Sequence, residues 1–105
     1  MEIRALTNSA IGEVLRSDKL VLVDFWAGWC GRYTRFAPVL EAFAAAHGEK
    51  VDVRTVNADH EAGLVTTYGI SSLPTLLLFS GGRVAATVRN PATLSDLEEQ
   101  LADHL

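Results

Sequence analysis

Residues 21–33 have the sequence VLVDFWAGWCGRY, in which an apolar run leads to the one cysteine of the chain. The apolar run from Leu20 to Trp26 is nearly continuous, which predicts a buried strand of a parallel sheet. Apolar residues from Phe36 to Ala44 then recur at helical spacing, so a helix is predicted to follow Cys30. A cysteine at such a strand-to-helix junction indicates a Cys-x-x-Cys redox site, but the fourth residue of the motif is Tyr33. The sequence therefore indicates a redox scaffold that lacks one of its two thiols.

The Cys30 thiol is expected to be reactive. At the first turn of a helix, unsatisfied amide donors and the positive end of the helix dipole favour the thiolate. Arg32 and Arg35 add positive charge within a few residues of the sulfur. The alternative is that Cys30 is a small buried apolar residue. The junction after a buried strand is a poor place to bury a sulfur, so we favour the reactive interpretation.

Size and composition predict a single domain over residues 1–105 in a reducing compartment. The chain has 105 residues, of which 49% are hydrophobic, enough to bury a core without disulfides. One cysteine excludes an intramolecular disulfide, the start lacks the apolar segment of a signal peptide, and no apolar run approaches a membrane span. We therefore expect a cytoplasmic protein with no membrane association. The net charge of −4 argues against a nucleic-acid partner.

The hydrophobic pattern alternates between strands and helices. Strands are predicted at residues 3–5, 20–26, 51–57, 75–79 and 84–88, and helices around residues 11–15, 36–47, 62–68 and 93–105. The last two strands flank Ser80-Gly81-Gly82-Arg83, which is a hairpin signal. The order βαβαβαββα predicts an α/β three-layer sandwich, with a mixed sheet of about five strands flanked by four helices.

Several motifs, in order and spacing, resemble the landmarks of the thioredoxin family over essentially the whole chain. They are residues 21–31, Ala37-Pro38, Tyr68-Gly69-Ile70, the segment PTLLLF at residues 74–79, and Gly82-Arg83-Val84-Ala85. Each motif alone is a weak signal, but together they are highly specific. The resemblance implies the thioredoxin fold, which agrees with the predicted order of elements.

The resemblance also implies a role for each matching residue. Cys30 matches the thiol that attacks a target and forms a mixed disulfide with it. Pro74 matches a cis-proline that faces this thiol, and the backbone of Leu73 would pair with an extended substrate peptide. Trp29 matches the indole beside the site, and Trp26 the partly buried indole behind it.

The chain departs from the family where that chemistry is completed. Arg32 replaces the proline between the two cysteines, and Tyr33 replaces the second cysteine, so no internal thiol can resolve a mixed disulfide. Asp24 matches the buried carboxylate that helps to deprotonate the second thiol, but the lysine that partners it falls at Thr55. An ordinary role for Asp24, as a hydrogen-bonded core residue, stays open. The glycine that lets substrate approach falls at Asn90.

Tyr33 and the histidines have alternatives of their own. Tyr33 lies one helical turn after Cys30, where it covers the sulfur, donates its hydroxyl to the thiolate or is simply exposed. The three histidines are scattered at His47, His60 and His104, with no second cysteine to join them. Neither a metal site nor a cofactor is therefore expected within one chain.

We expect thiol–disulfide exchange that is limited to one thiol. Cys30 would form mixed disulfides with protein thiols or disulfides, or with a low-molecular-weight thiol, and an external thiol would release them. A full dithiol reductase cycle is not expected. One alternative is a redox-inactive module that binds an extended peptide through Trp29, Leu73 and Pro74. Another is that the monomer becomes a dimer bridged by Cys30, through a disulfide or a shared iron–sulfur cluster.

Overall fold

The computed structural model describes the backbone of residues 3–29 and 31–105, and the side chains of these residues except 31–35. The strands are β1 (Arg4–Ala5), β2 (Leu20–Trp26), β3 (Val51–Asn57), β4 (Thr75–Ser80) and β5 (Arg83–Arg89). The helices are α1 (Ile11–Leu15), α2 (Gly31–His47), α3 (Ala62–Thr67) and α4 (Leu94–Leu101), with 3₁₀ turns at Asn8–Ala10 and Ala102–His104. The predicted order of strands and α-helices is confirmed.

The strands form one mixed sheet in the order β1-β3-β2-β4-β5. β3 is parallel to β1 and β2, whereas β4 is antiparallel to both β2 and β5. With these directions, β2, β3 and β5 finish at the same end of the sheet, which is where β4 begins. We call this the site end of the sheet.

The sheet is covered on both faces, as a three-layer sandwich requires. On one face, Leu22, Leu76 and Val88 pack with Phe36, Leu40 and Phe43 of α2 and with Leu97 and Leu101 of α4. On the other face, Val21, Val23, Phe25, Leu77 and Phe79 pack with Val14 of α1 and Leu64 of α3. Side chains alternate between the two faces along a strand, so β2 must be apolar on both faces.

Element boundaries differ from the sequence prediction mainly at the ends. β1 begins at Arg4, and the last helix ends at Leu101 because residues 102–104 tighten into a 3₁₀ turn. α4 begins after Thr93, whose hydroxyl accepts a 3.0 Å hydrogen bond from the Asp96 amide. The hairpin strands extend to Ser80 and from Arg83, which leaves a two-residue turn at residues 81–82.

A buried arginine joins α1 to the sheet. The side chain of Arg54 in β3 is 8% exposed and lies 3.2 Å from Asp52 and 3.6 Å from Glu13 of α1, measured between nitrogen and carboxylate oxygen. Alternation along β3 predicts one apolar face and one polar face, so the sequence did not indicate this burial. Two carboxylates compensate the charge, as a buried guanidinium needs.

Candidate active site

Four segments meet at the site end of the sheet. Trp29 follows β2, Asp59 follows β3, Pro74 directly precedes β4, and Asn90 directly follows β5. Neighbouring strands lie only about 4.8 Å apart, so topology alone brings these residues into one row. Trp29, Pro74 and Asn90, all predicted from the sequence, are thereby placed together.

Three predicted residues are not part of this geometry. Cys30 lies outside the described residues, and so do the side chains of Arg32 and Tyr33. The backbone of α2 begins at Gly31, the residue that follows Cys30 in the sequence.

Trp29 is held by a residue that the sequence analysis missed. Its side chain is 72% exposed, and the indole N–H donates a 3.1 Å hydrogen bond to Oδ1 of Asp59. The Asp59 amide in turn donates to Oδ1 of Asn57, at 3.0 Å, which fixes the turn after β3. The sequence could have indicated Asp59, because the ends of adjacent parallel strands meet at one end of a sheet and Asp59 follows the strand next to β2.

Pro74 lies in an ordered loop beside the end of β5. The Leu73–Pro74 bond is cis, as expected, and Pro74 is buried while Leu73 is half-buried. The Asn90 amide donates a 2.9 Å hydrogen bond to the carbonyl oxygen of Pro74. The Thr75 hydroxyl donates a 2.6 Å hydrogen bond to the carbonyl oxygen of Ser72, which ties the loop to the start of β4.

Asn90 keeps a backbone conformation that favours glycine. Its φ is 50°, in the left-handed region, where asparagine is tolerated better than most residues with a side chain. The hydrogen bond to Pro74 is made by the Asn90 backbone, so the path of the chain does not depend on the side chain. Asn90 is exposed. The departure from glycine therefore adds a polar amide to the rim of the site.

Asp24 is fully buried and lacks a hydrogen-bond partner among the described residues. The side chain is 0% exposed, and neither carboxylate oxygen is paired within that part of the chain. Burial penalises the charged form and raises the pKa of Asp24 from 3.8 to about 7. Near neutral pH, the carboxyl is therefore present in both the protonated and the ionised form.

The surroundings of Asp24 explain why its charge is not compensated. In the sheet it is paired with Thr55 of β3 and Leu76 of β4, and neither residue carries a charge. Asp24 lies two residues after Leu22, so it shares the face of the sheet that α2 covers. The alternative of a simply hydrogen-bonded core residue finds no support in the described residues.

The described part of the chain contains no candidate metal site and no candidate membrane span. Across residues 3–29 and 31–105, no three His, Cys, Asp or Glu side chains are grouped so as to hold a metal ion. Among the same residues, no helix combines the length and apolar character needed to cross a membrane.

Comparison with known proteins identifies the family and agrees with the fold. A family model described as thioredoxin matches residues 2–103. Thioredoxin from Alicyclobacillus acidocaldarius is 46% identical over 100 residues, which cover 95% of each chain. Thioredoxin 1 from a Nostoc species is 42% identical over 93 residues, covering 89% of this chain and 87% of the relative. A crystal structure of thioredoxin from Malassezia sympodialis superposes with a TM-score of 0.88 at 30% identity, covering 98% of this chain and 90% of the other.

The fold, the site end of the sheet and these similarities define the class of protein. The chain belongs to the thioredoxin family, a family of thiol–disulfide oxidoreductases whose members act on protein disulfides. Its sequence contains a single cysteine, Cys30.

Proposed function

We propose that this chain carries out thiol–disulfide exchange with one thiol, Cys30, and forms mixed disulfides as its product. One observation carries the proposal. The motif at residues 21–33 resembles the family's redox motif, and on that resemblance Cys30, the only cysteine of the sequence, takes the place of the attacking thiol and Tyr33 that of the second thiol.

The proposed reaction has two exchanges. The Cys30 thiolate attacks one sulfur of a protein disulfide, the bond from Cys30 to that sulfur forms, and the other sulfur leaves as a thiolate. An external thiolate, from a low-molecular-weight thiol or a second protein, then attacks the target sulfur of the mixed disulfide, which restores the Cys30 thiolate and leaves that target sulfur in a disulfide with the external thiol. Cys30 is regenerated, so the net result of the two exchanges is that one target sulfur is released as a thiol and the other is bonded to the external thiol. No internal group performs the second step.

Asp24 is assigned proton exchange at this site. Burial holds its pKa at about 7, so the carboxyl can both accept and release a proton at neutral pH. Asp24 lies on the face of the sheet that α2 covers, and α2 begins immediately after Cys30 in the sequence. In the proposal, Asp24 takes up or returns the proton of a thiol that reacts at Cys30.

The substrate is proposed to lie along the row of residues at the site end. The exposed indole of Trp29 supplies an apolar surface, and Leu73, Pro74 and Asn90 form the neighbouring rim. An extended segment of a partner protein would pack here with its sulfur toward Cys30. Such targets, together with a reducing small thiol, fit a cytoplasmic monomer.

A trapping experiment tests the proposal. The reduced wild type is incubated with a disulfide-bonded model protein, quenched with acid and analysed by mass under non-reducing conditions. Cys30→Ser is the matched control. The proposal expects a mixed disulfide in the wild type that is absent from Cys30→Ser and is released by added thiol. If no adduct forms at neutral pH, monothiol exchange is wrong. A product of two copies of this chain would instead support the Cys30-bridged dimer.

A redox-inactive peptide-binding module is the second candidate. It is favoured by the exposed, hydrogen-bonded indole of Trp29, an apolar contact surface that does not depend on the thiol. On this account, Cys30→Ser binds reduced target peptides as well as the wild type does, and the wild type forms no adduct. The same trapping experiment therefore separates the two functions.

A further inference from the structure

Arg89 is the last residue of β5 and lies beside the proline loop. In the antiparallel pair of β4 and β5 it is opposite Thr75, the residue that directly follows Pro74. The next residue, Asn90, is tied through its amide to the carbonyl oxygen of Pro74. The pairing of Arg89 with Thr75 and the hydrogen bond of Asn90 to Pro74 together fix the position of Arg89 relative to the loop that contains Pro74.

The guanidinium of Arg89 is an exposed charge without a partner among the described residues. Arg89 is exposed, and it has neither an ion pair nor a hydrogen bond from its side chain to any residue in the described part of the chain. Alternation along β5 directs Val88 into the core and Arg89 to the opposite face. On that face of β5, Thr87 is exposed as well, so the sheet beside Arg89 is open.

The row at the site end is therefore electrically asymmetric. Asp59 stands at the β3 side and binds the Trp29 indole, whereas Arg89 stands at the β5 side. In the sheet order, β2 and β4 lie between β3 and β5. Three strand spacings separate the ends of β3 and β5 by roughly 14 Å, a distance that an extended segment of four or five residues spans.

We propose that Arg89 makes this site selective for acidic target segments, with an Asp or Glu of the partner protein placed at the β5 side of the bound cysteine. The inference rests on the proposed function and specifies its substrate class. The positive charge of Arg89 attracts the acidic residue of such a segment. The Asp59 carboxylate repels an acidic residue at the β3 side. Selectivity therefore depends on which side of the bound cysteine the acidic residue lies, as well as on its charge.

Short synthetic peptides test the proposal. Each peptide carries one central cysteine bound to 5-thio-2-nitrobenzoate, and Glu, Gln or Lys is placed near it on either its amino or its carboxyl side. The Cys30 thiolate forms a disulfide with the peptide cysteine and expels the yellow thiolate, whose absorbance gives the rate. On one side of the cysteine, Glu should react roughly three- to ten-fold faster than Lys at low salt, and the ratio should shrink in high salt.

Two charge reversals on the same strand supply the matched comparison. Arg89→Glu should invert the order of the Glu and Lys peptides on that side. Arg83→Glu makes the same charge change at the opposite end of β5, roughly 20 Å away, and should leave the order intact. Equal rates for all wild-type peptides, or an order that survives Arg89→Glu, would overturn the proposal.

Binding measurements without a reactive thiol test the role of Arg89 separately from disulfide exchange. Cys30→Ser is titrated with the same peptides, now with serine at the centre, and affinity is measured from amide chemical shifts. If no disulfide forms but affinity follows the charge order, monothiol exchange fails and the role of Arg89 stands. If disulfides form without a charge order, Arg89 is refuted and the exchange stands. If the peptides neither react nor bind, both proposals are wrong.

Discussion

At the scale of single residues, the burial of Asp24 should dominate the pH dependence of stability. The folded state holds the pKa of Asp24 at about 7, above its ordinary value of 3.8. Between these two values the folded chain binds more protons than the unfolded chain, so stability falls as pH rises. The stabilisation that comes from protonated Asp24 is fully present below the ordinary pKa of 3.8, and it is lost as pH rises through the folded-state pKa of about 7. The total loss is on the order of 4 kcal/mol.

Asp24→Asn should therefore stabilise the fold at pH 8. The amide removes the cost of a buried charge but retains an unpaired polar group, so we expect a net gain of about 1–3 kcal/mol. Urea denaturation at pH 8 and pH 4 measures the free energy of unfolding, and the gain should disappear at pH 4. Asp18→Asn, at an exposed position, is the control and should change little at either pH. An Asp24→Asn variant that is less stable at pH 8 would contradict this account.

The hydrogen bond between Trp29 and Asp59 should matter for binding more than for folding. Asp59 is exposed, so Asp59→Ala is expected to change the free energy of unfolding by less than about 0.5 kcal/mol. The Trp29 indole N–H should lose its acceptor, shift its proton resonance and exchange faster with solvent. Affinity for target peptides should fall a few-fold.

Asp59→Asn is the matched control for this effect, because its side-chain carbonyl can still accept the indole N–H. Peptide affinity in this variant should lie closer to the wild type than to Asp59→Ala. An unchanged indole resonance in Asp59→Ala would mean that the bond does not form in solution.

At the scale of elements, the β4–β5 hairpin is positioned by its turn. Gly81 and Gly82 have φ angles of 60° and 81°, so both need a residue that tolerates the left-handed region. A Cβ on Gly82 would lie 2.6 Å from the carbonyl oxygen of Leu15 at the end of α1, whereas a Cβ on Gly81 would meet nothing within 4 Å. The absence of a side chain at Gly82 therefore allows the hairpin to pack closely against the end of α1.

The two glycines form a matched pair of variants. Gly81→Ala should lose about 1–2 kcal/mol of stability through backbone strain alone. Gly82→Ala should lose clearly more, because the added methyl group also clashes with rigid backbone. Denaturation of both variants under one condition gives the difference directly. Equal losses of unfolding free energy in the two variants would show that the clash with Leu15 does not destabilise the fold.

Elements with strong local signals were predictable, and their ends were not. β2 and β3 have the predicted boundaries, because β2 is apolar apart from Asp24 and β3 has buried valines at positions 51, 53 and 56. The shortening of the last helix at Leu101 depends on a local change to a 3₁₀ turn, which periodicity does not encode. The burial of Arg54 depends on a carboxylate from α1, so only the assembled fold reveals it.

At the scale of the whole molecule, the strand order assembles the site from distant parts of the sequence. The sequence predicted Trp29, Pro74 and Asn90 through resemblance to a family, but it predicted neither the hydrogen bond from Trp29 to Asp59 nor the exposed charge of Arg89 beside Pro74. Both depend on which strands are neighbours at the site end. Hydrophobic patterns fix the type of each element, whereas contacts between loops require the order of strands.

The missing second thiol determines which step of thiol–disulfide exchange this chain cannot complete alone. In a dithiol site, the second cysteine attacks the mixed disulfide within the same molecule, at an effective concentration far above that of any external thiol. Tyr33 stands at that position here, so the wild type cannot resolve a mixed disulfide by itself and depends on an external thiol to release it. Tyr33→Cys supplies the resolving thiol, and Tyr33→Ser is the matched control that removes the ring without adding a thiol.

The most direct measurement is the steady-state reduction of a protein disulfide by these three forms with one dithiol reductant. For the wild type and Tyr33→Ser we expect slow turnover with accumulated mixed disulfide, because only the external dithiol can release it. We expect faster turnover for Tyr33→Cys, below that of a family member with the full site because Arg32, Thr55 and Asn90 remain altered. A wild type that turns over protein disulfides as fast as Tyr33→Cys would contradict the account.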